Sequence, residues 1–156
     1  MKEMRRQDRK LDYNETYEII KNGEYGVLSM VTVDDGAYGI PFSYVLINDT
    51  IYFHCALEGS KLDFIRINNN VSFCVVGKTE ILPSKFSTKY ESAIALGKIY
   101  EVSEEIEKKK ALLQLIIKYS PEYMESGEKY IDSSVHKVNI LRLDIENLTG
   151  KARKNG

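Results

Sequence analysis

Residues 51–67 read IYFHCALEGSKLDFIRI. The first part is apolar and aromatic, has the make-up of a strand, and ends at His54 and Cys55. Leu57, Glu58 and Gly59 follow as a loop, and Ser60 and Lys61 open what reads as a short helix to Ile67. A strand that empties through a glycine turn into a helix N-terminus gathers free backbone N–H groups and the positive end of a helix dipole. That arrangement suits a phosphate. Here a Ser hydroxyl, a Lys ammonium and an imidazole lie within a few residues of it. The same spacing also suits an ordinary strand–loop–helix with Ser60 as N-cap and Lys61 on the surface. It is neither the Walker pattern nor the dinucleotide fingerprint.

Upstream, Asp12 or Asn14 can cap a helix through about Lys21, stopped by Asn22 and Gly23. Residues 25–33 (YGVLSMVTV) read as a strand, and Asp34, Asp35 and Gly36 as a tight turn. Residues 38–47 (YGIPFSYVLI) read as its partner. Pro41 cannot donate to a ladder, so this strand belongs at an edge or is bulged. With residues 51–55 these strands are expected to form a meander.

Downstream, residues 71–76 (VSFCVV) are a short buried strand, and 77–88 an ordered excursion containing Pro83. Residues 90–102 form a long strand with Gly97 at a bulge or a close backbone approach. Acidic Glu104, Glu105 and Glu107 ahead of Lys108, Lys109 and Lys110 match the dipole of a helix to about Tyr119. Its expected buried stripe is Ile106, Leu112, Leu113, Ile116 and Ile117. Ser120 and Pro121 start a second helix to about Ser134, and residues 139–146 alternate as a closing strand with Leu141, Leu143 and Ile145 inward. Six short antiparallel strands at such spacing, with helices between and after them, predict a mainly β chain: a closed barrel with flanking helices.

The chain has 156 residues, 43% hydrophobic and 29% charged, enough for a single domain over 1–156. No apolar run approaches the ~20 residues of a membrane span, and the charged start MKEMRRQDRK shows no secretory h-region. Cys55 and Cys74 sit in apolar runs and read as reduced, buried thiols, which points to a cytoplasmic protein. A net charge of −1 provides no general attraction to nucleic acid or to anionic membrane. Basic residues nevertheless gather in an N-terminal arm (1–11) and a C-terminal tail (149–156). The 11 Tyr and absent Trp suit half-buried sheet surfaces and interfaces.

With His54, His136, Cys55 and Cys74 as the soft ligands and no metal-type spacing, no metal site is expected. His54 and Cys55 are adjacent in a strand and point to opposite faces, which argues against a Cys–His nucleophile. No GxSxG motif and no general acid–base pair is visible. Any chemistry must be carried by a cofactor.

The strings YGVLSMVTVDDGAYGIPFSYVL, IYFHCALEGSKLDFIRINNNVSFCVVG, YESAIALGKI and TGKARK resemble the FMN-binding split-barrel superfamily. More narrowly, the chain resembles the pyridoxamine 5′-phosphate oxidase-like branch that includes the nitroimidazole-resistance proteins. The resemblance spans Met4 to Lys154, and its most specific part is the FHxAxxGxK core. It implies a homodimer of six-stranded split barrels with FMN in grooves at the interface. Leu28, Ser29, Met30 and Val31 would lie along the flavin ring, with Pro41, Phe42, Ser43 and Tyr44 lining the other side. His54, Cys55, Ser60 and Lys61 would surround the ribityl chain and phosphate, and Tyr90 and Glu91 would reach the partner's flavin. His54 is the candidate catalytic residue near substrate. The resemblance further implies a small-molecule substrate, such as a nitro compound, and a nicotinamide electron donor. The C-terminus departs from true pyridoxamine-phosphate oxidases, which end in an Arg-rich segment containing Trp. That separates the chain from vitamin B6 oxidation. A non-catalytic barrel holding flavin or haem, with His54 as axial ligand, and a deazaflavin in place of FMN are the competing expectations.

Overall fold

The computed structural model describes residues 2–34 and 36–155. Seven antiparallel strands make one sheet: β1 (Gly26–Val31), β2 (Ala37–Phe42), β3 (Val45–Ile47), β4 (Thr50–Cys55), β5 (Asn70–Leu82), β6 (Ser87–Glu101) and β7 (Asn139–Arg153). Four helices accompany them: α1 (Tyr13–Asn22), α2 (Ser60–Ile67), α3 (Glu105–Tyr119) and α4 (Met124–Ser134). The order across the sheet is β2-β1-β5-β6-β7-β4-β3.

The expected six strands become seven because the run 38–47 breaks at Ser43 and Tyr44, and its halves are the two opposite edges of the sheet. Phe42 and Val45 are three residues apart, so the chain between them spans at most about 11 Å. The sheet therefore curls until its edges meet at a seam, giving the split barrel that the family resemblance implied rather than the closed barrel that strand spacing alone suggested. The expected meander is also corrected: β1–β2 and β3–β4 are hairpins, but β2 does not pair with β3. Tyr44 causes the break. Its side chain is wholly buried with its hydroxyl donating to the Ile20 carbonyl, and its backbone N–H donates to the Tyr119 hydroxyl at 3.0 Å where a strand partner would have been. Pro41 lies on an edge strand, where its missing donor is harmless.

Residues 77–88 are not an excursion. β5 and β6 continue through them as a hairpin that turns at residues 83–85 and at Phe86, with φ 48°. β7 likewise runs to Arg153, so residues 149–153, read as tail, are strand. Gly97 sits where the β6–β7 register slips, and a Cβ there would collide with the Asp144 carbonyl oxygen. The turn at Asp34 and Gly36 joins β1 to β2, with the Thr32 N–H donating to the Gly36 carbonyl at 3.1 Å; Asp35 lies outside the described residues.

Apolar side chains fill two cores. Ile20, Leu28, Phe53, Phe73, Val75, Leu141 and Leu143 pack inside the barrel, closed by Ile19 of α1 and by Leu62 and Ile65 of α2. Val45, Tyr52 and Ile140 face outward and are covered by Leu112 and Leu115 of α3 and Ile131 of α4. β4 and the start of β7 are thus buried on both faces, which explains their continuous apolar runs. The α3 stripe is narrower than expected: Ala111, Leu112 and Leu115 are buried, whereas Ile106 and Ile117 face solvent, because the helix is covered only where it meets Val45, Tyr52 and Ile140. Asp12 caps α1 in a reciprocal box with Glu15.

Candidate functional site

α2 begins at Ser60, as read, but its N-cap is Gly59, at φ 148° and ψ 162°. That backbone conformation is essentially reserved for glycine. The Gly59 carbonyl accepts the N–H groups of Leu62 and Asp63 at 3.0 and 3.4 Å, which leaves the N–H groups of Ser60 and Lys61 at the helix's open end. The Ser60 hydroxyl caps nothing, so the N-cap role considered for it is corrected. Lys61 is half-buried rather than on the surface, and among the described residues no carboxylate pairs with it. Its ammonium lies 5.8 Å from the centre of the Phe42 ring and 3.9 Å from where a Cβ on Gly59 would stand. Two amide donors, a hydroxyl and an unneutralised ammonium thus meet at the positive end of a helix.

Aromatic side chains wall this corner. The Phe42 ring lies 5.2 Å from that of Phe53, and the Tyr38 ring 5.5 Å from that of Phe64 on α2. Cys55 points to the same interior side. Burial pushes its thiol pKa up, with the Lys61 charge pulling weakly the other way, so Cys55 is a protonated, unreactive wall.

The other expected residues separate by strand alternation. His54 lies between inward Phe53 and Cys55 and emerges exposed on the outer face, away from the Cys55 wall. Protein packed around its ring lowers its pKa, so the imidazole is neutral at pH 7. Leu28 and Met30 project into the core, and their backbone groups lie in ladders to β2 and β5; Ser29 and Val31 are the members of that strand that face outward. The backbone of this strand is thus committed to the sheet on both sides. Tyr44 is fully buried, which removes its side chain from any ligand surface, while Pro41 and Ser43 are exposed. Tyr90 and Glu91 lie far from Lys61: Cys55 pairs with Asn139 at one end of β7, and Tyr90 pairs with Arg153 at the other. The Glu91 carboxylate also has a structural duty, accepting the Lys78 N–H at 3.1 Å beside the β5 irregularity.

Two features escaped the sequence. Lys118 and Tyr119, at the end of α3, reach across to the seam at Tyr44. The sequence separation of 75 residues hides that contact. A groove of about 910 Å³ also runs along α1, β1 and the β5–β6 pair, floored by Val27, Cys74 and Val76. Cys74, expected to be buried, is half-exposed on this wall.

The fold recurs in known proteins. A structure from Bacteroides thetaiotaomicron, described as a candidate 5-nitroimidazole antibiotic resistance protein, is 24% identical, with a TM-score of 0.80 over 92% of this chain and 86% of that one. A flavocytochrome from Azotobacter vinelandii is 14% identical, with a TM-score of 0.83 over 98% of this chain and 73% of that one. An FAD and haem binding protein from Mycobacterium smegmatis is 15% identical, with a TM-score of 0.79 over 92% of this chain and 72% of that one. At these identities the likeness establishes the fold. No curated protein matches the sequence. The family model described as pyridoxamine 5′-phosphate oxidase matches residues 12–152, from the cap of α1 almost to the end of β7. The split barrel and its sequence therefore agree, and the chain belongs to the pyridoxamine 5′-phosphate oxidase family.

Proposed function

We propose that the protein is a flavin-dependent oxidoreductase acting on small electron-poor substrates such as nitro compounds, with FMN as the flavin and a reduced nicotinamide as donor. The observation that carries this reading is the unneutralised Lys61 ammonium beside the free N-terminus of α2, in a corner walled by Phe42 and Phe53. Ser60 and Lys61 would hold a flavin phosphate, and the outward side chains Ser29, Val31, Pro41 and Ser43 offer an adjoining surface for the ring. A bound flavin supplies two-electron transfer; the protein's part is to orient it and keep water from one face. One phosphate-sized corner favours FMN, although related structures are described as binding FAD.

The outer face of the sheet offers a surface on which a second copy of the chain would pack. Val27, Cys74 and Ile94 form one cross-strand row there, with Val76 beside it, and each of the three aliphatic residues is at least 39% exposed. Contiguous apolar surface of this kind marks an interface, which supports a homodimer. Two free thiols fit a cytoplasmic setting.

One observation favours a non-catalytic reading. His54 has solvent access and a lowered pKa, which favours the neutral imidazole that an axial haem ligand requires, and two structural neighbours are described as a flavocytochrome and an FAD and haem binding protein.

The test is titration of FMN, FAD and haem into the purified protein, followed by absorption and a thermal melt. FMN should raise the melting temperature, since a ligand that binds only the folded state stabilises it. Lys61→Ala should weaken FMN binding roughly 10- to 100-fold, the scale of a charge-assisted hydrogen bond. Unchanged FMN affinity in that variant sinks the assignment. Turnover of a reduced nicotinamide with a nitroaromatic separates enzyme from binder, a Soret band lost in His54→Ala identifies haem, and the visible spectrum of extracted cofactor tells flavin from deazaflavin.

A further inference from the structure

We propose that the hairpin arm made by the ends of β5 and β6 docks on a second copy of the chain, with Phe86 at its tip seated in that copy's groove beside α1. The proposal deepens the homodimer reading and rests on it.

The arm starts at the β5 irregularity. Val76 pairs with Ser92 and Thr79 with Tyr90, so β5 takes three steps where β6 takes two. β1 flanks β5 only as far as Cys74, and β7 flanks β6 only as far as Tyr90. Residues 80–82 and 87–89 are therefore a two-stranded ribbon with no further strand beside it, a form that is marginal on its own.

The ribbon carries its apolar side chains in the open. Ile81 is 75% exposed and Phe86 98%. Phe86 also has φ 48° and ψ 45°, the left-handed conformation that a bulky residue rarely adopts and glycine takes freely. At that exposure the ring gains almost no packing from its own chain to offset the strain. A large aromatic held rigidly at a tip is the usual form of an interface anchor.

Continuity, shape and charge point to a second copy as the occupant. β6 alternates without interruption from Thr88 to Ile94, so Ile81, opposite Thr88, lies on the same outer face as Val76 and Ile94. The apolar row of Val27, Cys74 and Ile94 thus continues onto the arm. At the base of the arm lies the groove of about 910 Å³, between α1 and the floor of Val27, Cys74 and Val76. A two-fold axis through the middle of the arm lays two arms antiparallel, so each tip meets the other's base, the reciprocity of an isologous contact. The rim of the groove is acidic on balance, with Glu15, Glu18, Glu24 and Glu91 against Lys78 and Lys154. Glu15 is paired with Lys154, whereas Glu18 and Glu24 have no cationic partner among the described residues. Lys85, beside Phe86, likewise has no carboxylate partner among them, so the tip brings the charge that the rim lacks.

The experiment is sedimentation of the full-length protein and its variants, with fluorescence alongside. The chain holds no Trp, so Phe86→Trp supplies a single fluorophore at the tip. Its emission should move to the blue as the protein is concentrated through its association range; emission of a solvated indole in the associated protein overturns the proposal. Phe86→Gly suits the backbone of the turn, so the fold should keep its melting temperature while the dimer dissociates at least tenfold more readily. Lys85→Glu should weaken the dimer, and adding Glu18→Lys and Glu24→Lys should restore it. An association constant unmoved by Phe86→Gly, or a triple variant no tighter than Lys85→Glu, overturns the arm contact alone; Ile94→Asp tests pairing on the flat outer face separately. A wild-type chain that stays monomeric at micromolar concentration overturns both readings. Binding to vesicles of anionic phospholipid that Phe86→Gly abolishes, with dimerisation unchanged, overturns the proposal in favour of a lipid surface.

Discussion

Lys118 holds its ammonium 3.8 Å from the centre of the Tyr44 ring and donates a 2.9 Å hydrogen bond to the Tyr44 carbonyl oxygen. No carboxylate pairs with it among the described residues. The lysine thus serves the break between β2 and β3, supplying a donor to a carbonyl that the interrupted ladder leaves over. Burial lowers its pKa from 10.5 to about 8.

A pH signature follows. The folded pKa is depressed, so between about pH 8 and 10.5 the unfolded chain binds the extra proton and the native state does not. Stability therefore rises with pH through that window, and the penalty of holding a buried cation is fully present below it. Solvent screening and the attraction of the Tyr44 ring reduce the effect to about 1–2 kcal/mol. Lys118→Met, which keeps the stem and removes the charge, should flatten the rise when urea unfolding of both proteins is compared at pH 7, 9 and 10.5. An identical slope in the two proteins would show that Lys118 stays protonated throughout.

Tyr119 makes the complementary prediction. Its hydroxyl accepts the Tyr44 N–H at 3.0 Å and lies 2.6 Å from the Glu24 carbonyl and 3.0 Å from the Tyr44 carbonyl. Tyr119→Phe preserves the packing but leaves a half-buried backbone N–H without a partner. The expected loss is about 1–3 kcal/mol, read as a lower urea midpoint with an unchanged slope. A variant as stable as the wild type would mean that water reaches the seam and replaces the phenol.

Much of this architecture was legible because local chemistry and tertiary packing agree. Asp12 and Glu15 mark the start of α1, and Gly59, Ser60 and the periodic Leu62 and Ile65 mark α2. Pro41 announced an edge strand. Illegible were the features that depend on residues distant in sequence. The break at Tyr44 needs Ile20 and Tyr119 to become visible, since nothing in YGIPFSYVLI itself is incompatible with one strand. β7 outran its reading because residues 147–153 are polar, and their pairing depends on β6. In the candidate site, the positions of Ser60 and Lys61 were foreseeable from the chain. The facing of Leu28, Met30 and His54 was set by register, which a one-residue shift would have reversed.

Gly97 tests that register directly. A Cβ there would run into the Asp144 carbonyl where the β6–β7 pairing slips past Glu146. Backbone cannot yield as a flexible side chain does, so Gly97→Ala should cost about 3 kcal/mol or more, measured by denaturant unfolding. Gly36→Ala is the control: its nearest contact would be the Thr32 side chain at 3.2 Å, and the cost there should be small. Equal losses in the two variants would mean that the close approach at Gly97 is not what glycine is needed for.

Gly59 separates fold from site. Its φ of 148° is open to an alanine only with strain of about 1–3 kcal/mol, yet a Cβ there meets nothing nearer than the Lys61 ammonium at 3.9 Å. The substitution therefore strains the backbone without crowding it, and the strain relaxes most easily by rotating the first turn of α2. That rotation turns the N–H groups of Ser60 and Lys61 away from their common point. Gly59→Ala should accordingly lower stability by about 1–3 kcal/mol and also weaken FMN binding. In the double variant with Lys61→Ala the two binding losses should fall short of additive, since both act on one constellation. A Gly59→Ala protein that loses stability but binds FMN as the wild type does would place the phosphate elsewhere than at the start of α2.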